Sequence, residues 1–353
     1  MIAPALDNEI LNRIIAIENY RSHFAGARIP ASLSRRLRKN SKKKSTYASN
    51  KIEGNPLTEE QAAGALENKR HHHLKPEEEI RNYYAALELL EKRLAKEAPF
   101  SKDLILEVQR LVVRGEGAEK AGIRGPMPPG VLFAVYDSET GIAEYIPPEA
   151  SDIEPLLDEL VSYVAESDDH PLVKAGVIHY QLVTIHPFED GNGRTARLMS
   201  GYYLDLCGFD FGGLGSLEEY FAYDVDEYYR SLQMDLPALY YDGRDAPPHP
   251  EVWMRYFLRM VELYAQAASS LADVSAGGAL AASLSHLRPR EREFYEHLVD
   301  SGVAEFAPID MARELGVTNR TVINWCTKLA EHGLLEPRLV KQRIRSYRVI
   351  ADE

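Results

Sequence analysis

One stretch of the sequence gathers residue types suited to phosphate chemistry: His186-Pro187-Phe188-Glu189-Asp190-Gly191-Asn192-Gly193-Arg194-Thr195-Ala196-Arg197. Gly191 and Gly193 permit a close backbone approach, so that their N–H groups can form an anion nest. The helix expected to follow adds its N-terminal dipole at the same place. Arg194 and Arg197 are three apart and can add charge-assisted hydrogen bonds. Cations are otherwise unfavourable at a helix N-terminus, which argues for a polyanion there. Asp190 is a hard oxygen ligand beside the nest and suits Mg²⁺ held jointly with phosphates. His186 is the nearby group that titrates near neutrality, so it is the candidate general base. Phe188 reads as a core anchor for the loop.

The elements that position these residues follow from periodicity. An apolar helix is expected over Val173 to Ile185 and a second over Thr195 to Leu206, with the Gly-rich turn between them. Leu104-Ile105-Val108-Leu111-Val112, Ile153-Leu156-Leu157-Leu160-Val161-Val164 and Val252-Tyr256-Phe257-Met260-Val261-Tyr264 also recur at helical spacing. Val131 to Tyr136 and Ile142 to Ile146 flank the Gly-containing turn Asp137-Ser138-Glu139-Thr140-Gly141 and read as a β-hairpin ended by Pro147-Pro148. Its exposed edge is a candidate docking site for an extended protein segment, or a purely structural hairpin.

The stretch is similar to the signature of the Fic family, H-x-F-x-[D/E]-G-N-G-R-x-x-R, and matches it at each fixed position. The resemblance implies a mostly α-helical core with a β-hairpin flap, and transfer of AMP from Mg·ATP to a Ser, Thr or Tyr hydroxyl of a protein. It implies that His186 is the base, that Asp190 holds Mg²⁺, and that Gly191, Asn192 and Gly193 form the anion hole, with Asn192 on the α-phosphate. Arg194 and Arg197 are implied to hold the β- and γ-phosphates. The related Doc-type proteins carry Lys where this chain has Gly193 and transfer phosphate, so Gly193 favours AMP. Transfer of phosphate or of another nucleotide is the competing reaction. Glu227-Tyr228-Tyr229 resembles the family's segment near the adenine, which makes Tyr228 and Tyr229 nucleotide-site candidates; adjacent helical positions face different sides, so at least one is expected in the core. The family's following Asn has no counterpart in Met234-Asp235-Leu236-Pro237.

Upstream, Ser49-Asn50-Lys51-Ile52-Glu53-Gly54 resembles the family's inhibitory motif, [S/T]-x-x-x-E-[G/N]. Ser49 and Glu53 are four apart and share one helix face. Gly54-Asn55-Pro56 ends that helix. The resemblance implies that Glu53 pairs with Arg197, occupies the γ-phosphate position and leaves ATP in a non-productive pose; in some relatives the same Glu supports removal of AMP. Self-modification is a further expectation. Glu79-Ile80-Arg81-Asn82-Tyr83-Tyr84-Ala85-Ala86-Leu87 resembles a core helix of the family, so the core is placed from residue 76.

Composition sets the frame. The chain has 353 residues, a formal net charge of −13, 45% hydrophobic residues and 27% charged residues, the proportions of a folded globular protein. No membrane span or secretory leader is read, and the two cysteines, Cys207 and Cys326, have no metal-ligand spacing, so a cytoplasmic setting is expected. His71-His72-His73 reads as a polar loop rather than a metal site. The organisation expected is an N-terminal helical region with the inhibitory motif over 1–75, the catalytic core over 76–265, an Ala/Ser/Gly-rich linker over 266–284, and a winged helix-turn-helix over 285–353. Within that tail, Thr318 to Arg348 holds seven basic and two acidic residues. Asn319, Arg320, Lys328, Lys341, Arg343 and Arg345 are candidate DNA contacts, and a protein partner or a dimer contact is the alternative over 318–348. A DNA-binding regulator whose core senses nucleotide is the second functional expectation.

Overall fold

The computed structural model describes residues 2–25, 29, 31–68, 74–115, 117–131, 133–136, 141–234, 236, 247–277, 284, 287–332, 334–340 and 343–349. The chain divides into two compact units. One comprises Met1–Ser22 with Ser41–Ala267, the other His23–Asn40 with Ala268–Glu353.

The first unit is helical, with helices α1 (Asn8–Ala25) and α2 (Ala31–Ile52) entering it in part and α3 (Glu59–Glu67) to α10 lying wholly within it. Its centre is α7 (Pro171–Ile185), buried without interruption from Leu172 to Leu182. A helix buried all round needs no polar stripe, which fits a largely apolar sequence in which Lys174, His179, Gln181 and Thr184 are buried as well. Pro171 opens α7, where a missing N–H costs nothing. Against it lie α8 (Asn192–Leu206) and α6 (Ala150–Glu166), with α4 (Lys75–Leu94) and α5 (Lys102–Val112) beyond α8. Capping fixes several ends: Ser101 accepts from the Leu104 N–H at the start of α5, and Thr58 with Gln61 forms a reciprocal capping box on α3. α9 (Leu217–Tyr223), α10 (Val225–Gln233) and α11 (Pro250–Gly277) complete the helices of this unit as far as Ala267.

The hairpin is present but shorter than its sequence pattern. β1 (Val135–Tyr136) pairs antiparallel with β2 (Ala143–Tyr145), with a register irregularity between Val135 and Tyr136. Its tip at 137–140 lies outside the described residues, as do His71-His72-His73. Tyr136 and Ile142 are exposed, whereas Tyr145 is buried and donates its hydroxyl to the Thr184 carbonyl of α7.

The second unit contains α12 (Pro289–Asp300), β3 (Glu305–Phe306), α13 (Pro308–Leu315), α14 (Asn319–Glu331), β4 (Leu335–Val340) and β5 (Arg343–Val349). The sheet order is β3-β5-β4, all antiparallel. Gly316 is left-handed at φ 66° and makes the turn after α13, and Thr318 caps α14. Val322, Cys326 and Leu329 turn inward from α14 onto Phe294, Leu298, Phe306 and Tyr347. Strand β3 was not legible in the sequence, because two residues carry no period. The stretch expected to be a linker from 266 is helical through Gly277, and Leu284 is buried in this core.

Candidate active site

The loop between α7 and α8 is built by its own side chains. His186 ends α7 in a left-handed conformation, φ 48°, which costs a non-Gly residue about 1 kcal/mol and turns the chain abruptly. Asn192 then ties the loop shut: its amide donates to the Phe188 carbonyl at 2.9 Å and accepts from the Phe188 N–H at 3.0 Å. The Asn192 side chain therefore closes the loop on itself. Phe188 is buried and pairs across a bridge with Ile123. Gly191, at φ 83°, lies close against Val112 and Val113, so that a Cβ there would be both strained and crowded.

Two further residues, not singled out in the sequence, hold this loop. Buried Gln109 donates to the carbonyls of Asp190 and Lys120, both at 3.1 Å, and accepts from the Gly122 N–H. Arg124, also buried, donates Nε to the His186 carbonyl at 2.9 Å and reaches the Pro148 carbonyl, while its guanidinium covers the Phe133 ring at 4.6 Å. No local pattern marks either residue, since their partners are backbone carbonyls distant in sequence.

The His186 imidazole is oriented by its Nδ1, 3.2 Å from the Val183 carbonyl. A carbonyl only accepts, so the neutral ring carries its proton on Nδ1 and keeps a lone pair on Nε2. Burial pushes its pKa down to about 4; the Val183 hydrogen bond opposes this, and nearby Arg124 adds to it. The ring is therefore a neutral acceptor at physiological pH.

The two arginines are buried at 4% and 2% exposure. Arg194 Nη2 binds Asp190 Oδ1 at 2.8 Å, and its Nε is buried with no hydrogen-bond partner. Arg197 meets the end of α2. Its Nε donates to Ser49 Oγ at 2.8 Å, and Nη2 donates to the Ser49 carbonyl at 3.1 Å and to Glu53 Oε1 at 2.6 Å. Glu53 lies over Gly193 so closely that a Cβ there would stand 2.4 Å from its carboxylate. Gly193 thus makes room for an anion beside Arg197, and the anion present is Glu53. Burial opposes the charge on Arg197, but the Glu53 carboxylate, with smaller contributions from Tyr228 and Tyr83, drives its pKa upward.

Tyr228 is the member of the tyrosine pair that lies in the core. It is 1% exposed and turns its hydroxyl to Arg197 Nη1 at 3.3 Å and His179 Nε2 at 2.9 Å. Tyr229 faces the other way, 47% exposed, with its hydroxyl 3.4 Å from the Ile52 carbonyl. Consecutive helical residues cannot share a face, which separates the pair.

Known proteins share this segment: residues 99–204 match the model of the Fic/DOC family. The chain is 30% identical over 170 residues to the protein named Protein adenylyltransferase Fic of Nematostella vectensis, covering 46% of this chain and 37% of that protein. The Drosophila virilis protein of the same name is 27% identical over 203 residues, covering 56% and 40%. The chain thus spans about two fifths of the length of these curated relatives. Among solved structures, a Fic family protein from Desulfovibrio desulfuricans G20 aligns with a TM-score of 0.66 at 21% identity over 99% of both chains. Fic-1 (residues 134–508) from C. elegans aligns with a TM-score of 0.55 at 26% identity, covering 74% of this chain and 71% of that one.

Proposed function

We propose that this protein is an adenylyltransferase that moves AMP from ATP to a protein hydroxyl and is held inactive by its own Glu53. The observation that carries this reading is the contact of Glu53 with Arg197 at 2.6 Å, beside the helix N-terminus that begins at Gly191. An anion site built from backbone N–H groups, two buried arginines and a Gly is already filled by a carboxylate. The partnerless Nε of Arg194 supports a further acceptor there, and phosphate oxygens fit it. Among the described residues no group of three His, Cys, Asp or Glu stands ready for a metal. Asp190, half-buried, offers one carboxylate, which fits Mg²⁺ carried in on the phosphates. Bound there, the ion would neutralise charge on the phosphate oxygens.

In the reaction, His186 Nε2 takes the proton of the target hydroxyl. That oxygen attacks the α-phosphorus, the bond from phosphorus to the β-bridging oxygen breaks, and pyrophosphate leaves. Backbone N–H groups from Gly191 to Gly193 face the developing charge, and Arg194 and Arg197 orient the leaving phosphates. Glu53 competes for Arg197, so the γ-phosphate and the inhibitory carboxylate exclude one another. The target segment docks as an added strand on the β1–β2 flap, where Tyr136 and Ile142 are exposed. Self-modification is one outcome of such docking. Glu53→Gly is expected to add AMP mass on incubation with Mg·ATP; unmodified protein in every variant, with a supplied set of candidate proteins also unmodified, would overturn the reading.

A partner for the second unit is proposed on separate grounds. Its order of helix, strand, two helices and a two-stranded hairpin is that of a winged helix-turn-helix. α14 exposes Arg320, Ile323, Asn324, Thr327 and Lys328, and β5 exposes Arg345 and Arg348. We read these as a duplex DNA surface. Lys328 also pairs with Glu331 at 2.6 Å, so Arg320 and Arg345 are the stronger phosphate contacts. Affinity for duplex DNA is expected to fall steeply with salt, and Arg345→Ala to lower the slope by about one. Salt-independent binding, or none, would leave the unit to a protein partner.

A further inference from the structure

Arg197 is held from two directions. Ser49 and Glu53 reach it from α2, and Tyr228 reaches it from α10. Behind Tyr228 lies His179 on α7, fully buried among Trp253, Phe221 and Phe257 at ring distances of 4.9, 5.4 and 6.0 Å. Its other nitrogen, Nδ1, is 3.3 Å from Ser200 Oγ, and Ser200 Oγ donates to the Arg197 carbonyl at 3.1 Å. The Ser200 proton is thereby committed. A neutral His179 must then carry its proton on Nδ1 and donate to Ser200, which leaves Nε2 as an acceptor for the Tyr228 hydroxyl. The Tyr228 oxygen accepts from Arg197 Nη1. In the opposite tautomer the Tyr228 proton would face two donors and find no acceptor, and Ser200 would release the Arg197 carbonyl. Only one assignment satisfies every group.

We infer that His179 and Tyr228 are positioning residues that hold the Arg197 guanidinium in place for the nucleotide through a one-directional hydrogen-bond ring that starts and ends on Arg197. This deepens the reading given under Proposed function and rests on Arg197 binding phosphate. The ring draws nothing from α2, so it persists when Glu53 gives way. With Glu53 gone, Ser49 still holds Nε and Nη2, and the ring adds the bond that orders Nη1, the remaining nitrogen, before the nucleotide arrives.

The test is the dissociation constant of Mg·ATP, measured by calorimetry in the full chain carrying Glu53→Gly. Arg197→Ala is the control for the underlying reading. Tyr228→Phe, which keeps volume and removes only the hydroxyl, is expected to weaken binding about fivefold to tenfold. His179→Phe is expected to do the same, and His179→Gln, which can accept and donate along the same line, to restore affinity to within about twofold. Selective ¹⁵N-histidine spectra are expected to show His179 protonated on Nδ1 and bare on Nε2. Weakening by Arg197→Ala with Tyr228→Phe and His179→Phe both at parental affinity would overturn the positioning role alone. Equal loss in His179→Gln and His179→Phe would reduce His179 to a packing residue and overturn it likewise. No weakening by Arg197→Ala would remove the phosphate role and the inference with it. Melting curves exclude unfolding as a cause, and Tyr228→Phe remains decisive if a His179 variant does not fold.

Discussion

His186, the proposed base, is suited to that role by placement more than by type. Its carbonyl partner fixes which nitrogen is free, and burial lowers its pKa to about 4. The imidazole therefore stays neutral well below the ordinary His value of about 6.5. In the Glu53→Gly background, the acid limb of AMP transfer assigned to the free enzyme is expected below about pH 5, read from kcat/KM against pH. A limb near 6.5 would mean an exposed, unperturbed imidazole. Stability moves with the same groups. Both His186 and His179 have pKa values depressed by burial, so the unfolded chain binds more protons as pH falls below about 6.5. Stability is expected to fall between about pH 6.5 and 4.5 by up to about 1.4 kcal/mol per pH unit for each imidazole, as measured by denaturant unfolding. At this scale the sequence was only partly legible. The spacing of Gly191, Gly193, Arg194 and Arg197 named the chemistry, because the site is made of one loop and one helix start. It could not show that the Asn192 amide closes the loop, nor that Tyr228 sits in the core, since both depend on packing partners outside the motif. His179 did leave a signal, the one imidazole in a largely apolar helix, two turns before His186, but its meaning lies in Ser200 and Tyr228.

Two elements carry the proposed regulation. The α7–loop–α8 segment forms the proposed anion site, and Ser49 near the end of α2 and Glu53 just beyond it bind its Arg197. Arg197 is left with 1% side-chain exposure and Glu53 with 31%, so the pair is partly desolvated and more than a surface ion pair. Glu53→Gly removes the carboxylate while Ser49 still satisfies two guanidinium nitrogens. A loss of about 2 kcal/mol in folding stability is expected alongside the gain in transfer, checked by urea unfolding of both proteins without nucleotide. Unchanged stability would mean that the pair does not form in solution. Ser49→Ala is expected to lower the stability of wild type and to raise transfer weakly, because Glu53 remains. These elements were readable in the sequence where burial imposes a period. α5, α6, α7, α8 and α11 repeat apolar residues at helical spacing, and α2 carries its motif four residues apart. β1 and β2 were readable as a hairpin around their turn, whereas β3 is two residues long, too short for alternation to show, and its pairing with β5 depends on contacts distant in sequence.

At the scale of the molecule, the residues assigned to the reaction all belong to the first unit, between Ser41 and Ala267. A chain ending at residue 283 and carrying Glu53→Gly is therefore expected to retain AMP transfer, measured as added mass per hour. Loss of transfer with an unchanged melting temperature would assign part of the site to the second unit. That unit contains residues 23–40 as well as the tail, so its independent expression is expected to need both segments, checked by comparing the melting of 268–353 alone with that of the two segments joined. The tail's helix-turn-helix was legible through Gly316, Thr318 and the inward spacing of α14, whereas the membership of residues 23–40 was not, because it is set by contacts between parts of the chain more than 200 residues apart.

The most direct measurement is the intact mass of wild type, Glu53→Gly and Glu53→Gly/His186→Ala after incubation with Mg·ATP. Added AMP mass in Glu53→Gly and in neither other protein is the predicted result, since it joins the transfer, its base and its restraint in one comparison. Equal modification of wild type and Glu53→Gly would contradict the restraint, and modification of the His186→Ala double variant would contradict the base.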